Sequence, residues 1–293
     1  MSDTMTEIQT HTLDVPGAVL TYDVRPNESS MKPVLLLIGS PMGAGGFVTL
    51  AGFFSDRTVV TMDPRMTERS HRTDGALVTT ADEQADDLHR LIAALDVGPV
   101  DAFASSGAAV TALALVAAHP EQVRTLVAHE PPIAAVLPDA EYAIAACRDI
   151  HDAYLRSGFG AGMAKFLALV MHQGEFPADY AQRPDPDPGM FGLPTEDDGS
   201  RNDPLLGHNV PALNEYVPDF DALRSASTRV VLAAGVDSRG TLAHRGAFAV
   251  ADRLGPLPVF FPDGHAGFLG GEYGQTGQPE MFAANLREVL ADT

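Results

Sequence analysis

The chain has 293 residues, and its 19 Lys plus Arg against 39 Asp plus Glu give a formal net charge of -20 at pH 7. Binding to nucleic acid or to an anionic membrane draws on Lys and Arg to neutralise phosphates, so a chain this acidic is read as having neither as partner. The 45% hydrophobic content suits a packed globular protein and not an acidic disordered tail, and the length allows one large core or a core with an insertion.

The N-terminal stretch 1–15 carries Asp3, Glu7 and Asp14 with no apolar block, and does not read as a signal peptide. Ile8 to Val15 and Ala18 to Val24, split by Pro16-Gly17, predict an opening hairpin. Val34 to Ile38 reads as a buried strand. The uncharged run 33–54 around it is punctuated by Gly39, Pro41, Gly43, Gly45, Gly46 and Gly52, which suits a strand and tight loop, not a membrane span. Thr58 to Met62 is the next strand. Thr80-Ala81-Asp82-Glu83 then offers a capping box, followed by Ala85, Leu88, Leu91, Ile92 and Leu95 along one helical face.

The strands Val100 to Ala104 and Thr125 to Ala128 flank an apolar helix, Val110 to Ala118, after which strand signals stop. Residues 133 to 221 hold helical patches at Tyr142 to Leu155 and Gly162 to His172, then a Pro- and Asp-rich stretch, Arg183 to Pro204. A structureless loop of that size is foreign to a compact domain, so an inserted helical cap is expected. Cys147, in this segment, is the only cysteine. It excludes an intramolecular disulfide and any multi-thiolate metal site, and it fits a reducing, cytoplasmic location.

Alternation resumes with Val230 to Ala234 and Val259 to Phe261, and an amphipathic helix, Phe282 to Leu290, closes the chain. Short apolar runs alternating with helix-period segments are the mark of parallel strands joined by crossover helices. The predicted fold class is therefore α/β, with a mostly parallel central sheet flanked by helices. Its core is formed by residues 1–132 and 222–293, with 133–221 inserted as the cap.

The strand Val100 to Ala104 runs through Ser105-Ser106-Gly107-Ala108-Ala109 straight into the apolar helix. A serine on such a sharp strand-to-helix turn has its hydroxyl pushed clear of the sheet, and the helix N-terminus favours negative charge there: a nucleophile elbow. The turn crowds the residues two before and two after the nucleophile. For Ser106 these are Ala104 and Ala108; for Ser105 they would be Phe103 and Gly107, so the need for small side chains selects Ser106. The plainer alternative is a tight turn with a helix-capping serine.

On this elbow the sequence resembles the α/β-hydrolase superfamily, over almost all of residues 20 to 291 outside the cap. It departs from the family's G-x-S-x-G at both glycines, replaced by Ala104 and Ala108. The resemblance implies an α/β-hydrolase fold and a histidine base in the loop after the last strand, where Phe261-Pro262-Asp263-Gly264-His265-Ala266-Gly267-Phe268 places His265. The family's usual acid lies three residues after the glycine that ends the preceding strand; here Gly235 plus three is Ser238, and Asp237 sits one residue early. The rival is Glu130, in Leu126-Val127-Ala128-His129-Glu130-Pro131, an apolar setting where a carboxylate needs a partner. Some relatives draw the acid from that strand, so Glu130 ranks ahead of Asp237. Such an acid also resembles fungal lactonases that open the macrocyclic ring of zearalenone.

For the oxyanion hole, Gly107 supplies one backbone N–H. Ile38-Gly39-Ser40 stands where the family has His-Gly-x, which points to Ser40 for the second, since Pro41 has no N–H. The glycines Gly39, Gly43, Gly45 and Gly46 do not form a phosphate cradle, because no Lys-Ser/Thr follows and Gly43 to Val48 fails G-x-G-x-x-G. Asp63-Pro64-Arg65 also resembles the family, with Met66 and Glu68 in place of its glycines, and is read as structural. His129-Glu130 begins like H-E-x-x-H, but position 133 is Ile, and no metal or cofactor is expected. The expected activity is cofactor-free serine hydrolysis of an ester or lactone of an apolar small molecule. A non-catalytic receptor, a perhydrolase or a carbon–carbon hydrolase on the same triad are the alternatives, and self-association into a homo-oligomer is left open.

Overall fold

A computed structural model of the chain describes residues 7–76 and 78–291, so Met1–Thr6, part of the N-terminal stretch considered above, lie outside the described residues. Strands β1 (Gln9–Val15) and β2 (Ala18–Arg25) form the expected hairpin, with Val15 opposite Ala18 across the Pro16-Gly17 turn. Strands β3 (Leu35–Ser40) and β4 (Val59–Asp63), separated by a short helix α1 (Val48–Gly52), are buried at every position. That matches their unbroken apolar runs, which belong to strands covered on both faces. A two-residue strand β5 (His71–Arg72) pairs with β2.

Helix α2 (Ala81–Leu95) starts where its cap predicts, with Thr80 Oγ1 accepting the Glu83 N–H at 3.1 Å. The reciprocal half of the capping box is replaced. The Glu83 carboxylate takes the Arg72 guanidinium at 2.8 and 2.9 Å, and a bidentate charge-assisted pair outweighs a single bond to a backbone N–H. Strand β6 (Val100–Ser106) runs into α3 (Gly107–Ala118), which is buried from Gly107 through Val116, and β7 (Val123–His129) follows.

The helical patches expected between β7 and the next strand lie on α4 (Ala140–Met171), broken at Gly158, where φ 84° and ψ -173° turn the chain. A π-helical turn, Leu205–Asn209, leads into the short helices α5 (Val210–Asn214) and α6 (Phe220–Ser225). Among the described residues the stretch between β7 and β8 carries no strand, and Cys147, Ile150, Tyr154, Leu169 and Leu206 help form an apolar cluster of its own. Strand β8 (Arg229–Gly235), helix α7 (Leu242–Leu254), strand β9 (Val259–Phe261) and helix α8 (Pro279–Ala291) complete the chain. Helix α7 had no separate signal in the sequence reading.

The sheet of the described residues has the order β1-β2-β4-β3-β6-β7-β8-β9, with β5 as a ninth strand beside β2 off that path and every neighbouring pair from β4 to β9 parallel. Alternate residues of one strand face opposite helical layers, as the pleat requires. Leu36, Ala102 and Leu126 pack towards α2, α3 and α7, whereas Leu35, Phe103 and Val127 pack towards α1 and α8. From β3 the chain steps to β4 on one side and then crosses to β6 on the other, so the strand order reverses between β3 and β6. In open α/β sheets the crevice at the carboxyl ends of the strands beside such a reversal is where ligands bind. Among the described residues no helix is long and apolar enough to cross a membrane.

Candidate active site

The carboxyl ends of five strands carry the residues singled out from the sequence. Ser40 ends β3 and Ser106 ends β6, and the two are register partners across the strand-order reversal. Ser106 holds φ 60° and ψ -129°, a conformation that costs an L-residue about 1–3 kcal/mol and persists only where its surroundings impose it. Ala104 and Ala108 are both buried, so the two methyl groups that replace the expected glycines fit into the turn. Gly107 has no such latitude: a Cβ there would lie 2.8 Å from Leu213 Cδ1 and 3.1 Å from Ser40 O.

Glu130 follows β7 with φ 50° and is fully buried. Its Oε2 meets His265 Nδ1 at 2.6 Å, and its Oε1 accepts the Gly235 N–H at 2.9 Å and the Ser238 hydroxyl. Burial opposes the charge, but the His265 ring, the His129 ring and the Ser238 hydroxyl more than offset it and hold the carboxyl down at about 2. The structure therefore brings His265 to Glu130. Asp237, the other carboxylate considered, is exposed on the turn after β8, where its backbone N–H donates to Asp263 O at 3.0 Å.

Ser40, Ser106, Gly107 and His265 line one cavity of about 380 Å³. Its walls are apolar: Cys147 and Ile150 come from the first arm of α4, Phe166, Leu167, Leu169 and Val170 from the second, and Leu213 from α5. Met171 and Phe191, from the same stretch, instead line a second cavity beside α4, and Met190 is 81% exposed. The Cys147 thiol is pushed up to about 12 by burial, so it is a neutral part of the wall. Among the described residues no group of three or more His, Cys, Asp or Glu side chains is gathered to hold a metal.

Behind the site, His129 is fully buried among Phe103, Phe261, Phe268 and Phe282, with Nδ1 at 3.0 Å from Ser105 Oγ. Burial lowers it to about 4, so it is a neutral ring wedged behind His265. The Asp63 loop is structural, as read: its carboxylate accepts the Ala44 N–H at 2.7 Å, and Met66 and Glu68 keep positive φ, 66° and 47°, without glycine.

No family model matches the chain. A curated relative, an uncharacterised hydrolase YraK of Bacillus subtilis, is 29% identical over 267 residues, 89% of this chain and 91% of the relative. Among solved structures, an esterase of Thermogutta terrifontis is similar with a TM-score of 0.66 at 19% identity, over 96% of this chain and 98% of its own. The enol-lactonase of Burkholderia xenovorans has a TM-score of 0.66 at 16% identity, over 96% of this chain and all (100%) of its own. This chain has the α/β-hydrolase fold. Within that fold the usual acid position after β8 falls on Ser238, and here its hydroxyl supports Glu130 from the neighbouring strand. Ser238 was seen in the sequence only as a missing carboxylate. Asn209, which also lines the cavity, left no signal at all, because its place depends on a turn in the long stretch between β7 and β8.

Proposed function

We propose that the protein is a serine hydrolase that cleaves a carboxylic ester or lactone of an apolar small molecule through an acyl-enzyme on Ser106. The observation that carries this reading is the 2.6 Å bond between Glu130 Oε2 and His265 Nδ1, at a cavity that Ser106 also lines. With Nδ1 donating to the carboxylate, the lone pair of the neutral imidazole is on Nε2. Nε2 takes the Ser106 proton as Oγ bonds to the carbonyl carbon, and the displaced π pair moves to the carbonyl oxygen. Backbone N–H groups of Ser40 and Gly107 hold that oxyanion.

Collapse breaks the bond to the alkoxy oxygen, which receives the proton from the imidazolium; for a lactone the freed hydroxyl stays on the acyl chain. Water deprotonated by His265 then attacks the acyl-enzyme and releases the acid. Glu130 remains ionised throughout and fixes the imidazole tautomer. The esterase and lactonase among the fold neighbours support ester cleavage. An apolar substrate is supported by a lining in which His265 is the one titratable side chain apart from the neutral Cys147. Residues 133–221 act in this reading as the cap that supplies the acyl-binding wall. Hydrolysis of p-nitrophenyl butyrate by wild type and Ser106→Ala tests it: the variant is expected to lose activity, and equal rates would remove the enzyme reading in favour of a receptor.

A further inference from the structure

Four uncharged polar side chains are buried in a chain that reaches the oxyanion side of the cavity from behind. Thr111 Oγ1 on α3 donates to Gln84 Oε1 on α2 at 3.3 Å, Gln84 Nε2 donates to Asn209 Oδ1 at 3.2 Å, and Asn209 Nδ2 donates to Ser40 Oγ at 3.3 Å. Thr111, Gln84, Asn209 and Ser40 are each no more than 5% exposed. Buried amides are costly unless both ends are satisfied, so the sequence has retained a polar chain where leucines would pack more cheaply. Asn209 enters it from the last residue of the π-helical turn, a wound-wide geometry that recurs at functional positions.

The chain has a direction. Because Gln84 spends its amide nitrogen on Asn209 Oδ1, Asn209 must aim its own nitrogen at Ser40. Ser40 Oγ then accepts, and its hydroxyl proton is left for the cavity, which Ser40 and Asn209 both line. Resting on the serine-hydrolase reading above, we propose that Asn209 is a positioning residue: it turns the Ser40 hydroxyl towards the developing oxyanion as a third donor beside the backbone N–H groups of Ser40 and Gly107. The inserted segment thereby takes part in the chemistry at the sheet edge, since placing Asn209 sets the proton of a β3 residue. A donor that strengthens its bond only as charge develops raises kcat and leaves KM alone.

The test is steady-state hydrolysis of p-nitrophenyl butyrate by wild type, Ser106→Ala, Ser40→Ala, Asn209→Leu, Gln84→Leu and the Ser40→Ala, Asn209→Leu double variant. Each of the Ser40, Asn209 and Gln84 single variants is expected to lower kcat about 10- to 100-fold at near wild-type KM, somewhat below the loss of a main oxyanion donor. The double variant is expected to be no slower than Ser40→Ala, because both substitutions remove the same hydrogen bond. Gln84 lies outside the cavity lining, so Gln84→Leu reads the orientation of the chain without altering substrate contacts, and it decides the matter should Asn209→Leu fail to fold. Additive losses, or a rise in KM at unchanged kcat, would mean packing and overturn the assignment. An active wild type with both Asn209→Leu and Gln84→Leu at full kcat would overturn this assignment alone. Equal rates for wild type and Ser106→Ala would remove the hydrolase reading and this one with it.

Discussion

Glu130 shows how much can depend on which oxygen of one carboxylate faces which donor. Oε1 is held by the Gly235 N–H and the Ser238 hydroxyl, both of which require an acceptor, so in Glu130→Gln the amide oxygen must take that side. The amide nitrogen then points at His265 Nδ1 and forces the proton to Nε2, the wrong tautomer for a base. The expected outcome is a fall in kcat of about 10⁴-fold, by analogy with other triads whose acid is made an amide. Asp237→Asn, at an exposed position, is expected to leave kcat at the wild-type value. Steady-state kinetics of the two variants side by side check both. The same residue was legible in the sequence as a carboxylate stranded in an apolar strand end, and relatives that draw the acid from that strand ranked it ahead of Asp237. Its strained φ of 50° and its Ser238 support were not legible, since both come from β8 lying next to β7.

At the scale of elements, the strands were readable because a parallel strand covered on both faces must be apolar throughout. Strands β3, β4, β6, β7 and β8 run one or two residues past the carboxyl ends of the apolar runs, as in β6, which continues through Ser105 and Ser106 because the ladder with β3 and β7 continues there, while β9 keeps the expected bounds. Helix α4 was readable as two patches, and Gly158 is the reason for the break between them. Its φ 84° and ψ -173° lie in a region that is essentially glycine-only, and a Cβ would come within 2.3 Å of Asp197 Oδ1, an oxygen of the carboxylate paired with Arg201. Gly158→Ala is therefore expected to destabilise the fold by about 1–3 kcal/mol, from backbone strain together with the displaced ion pair. Urea unfolding followed by circular dichroism, compared with a control Gly52→Ala that meets nothing within 4 Å, measures it.

The whole molecule carries two buried groups at the site whose titration links function to stability. The His129 ring, lowered from 6.5 to about 4 by burial, is neutral in the fold and takes up a proton more readily when unfolded. Stability from it is complete above pH 6.5 and is lost as pH falls towards 4. The Glu130 carboxyl, lowered from 4.5 to about 2, contributes above pH 4.5 and is lost as pH falls further towards 2. The unfolding free energy, followed through the urea midpoint, is thus expected to fall first between pH 6.5 and 4, by an amount on the order of a few kcal/mol. His129→Phe, a ring suited to its phenylalanine surroundings, is expected to reduce the slope of that first limb, to which His208 and His244, both lowered by burial, also contribute. An unchanged slope between pH 6.5 and 4 in the variant would show that His129 does not set it.

Composition, period and local turn chemistry act over a few residues, and they were enough to mark most of the strand and helix alternation and the sharp turn at Ser106, while the histidine after the last strand came from the family resemblance. Tertiary structure decided what depends on neighbours far apart in the chain. It set which carboxylate reaches His265, gave Ser238 its supporting place, turned Glu83 to Arg72 instead of its cap, and brought Asn209 beside Ser40 across 169 positions. The reason is physical: a side chain's partner is fixed by which strands lie side by side and where the stretch between β7 and β8 returns, and neither leaves a mark on local periodicity.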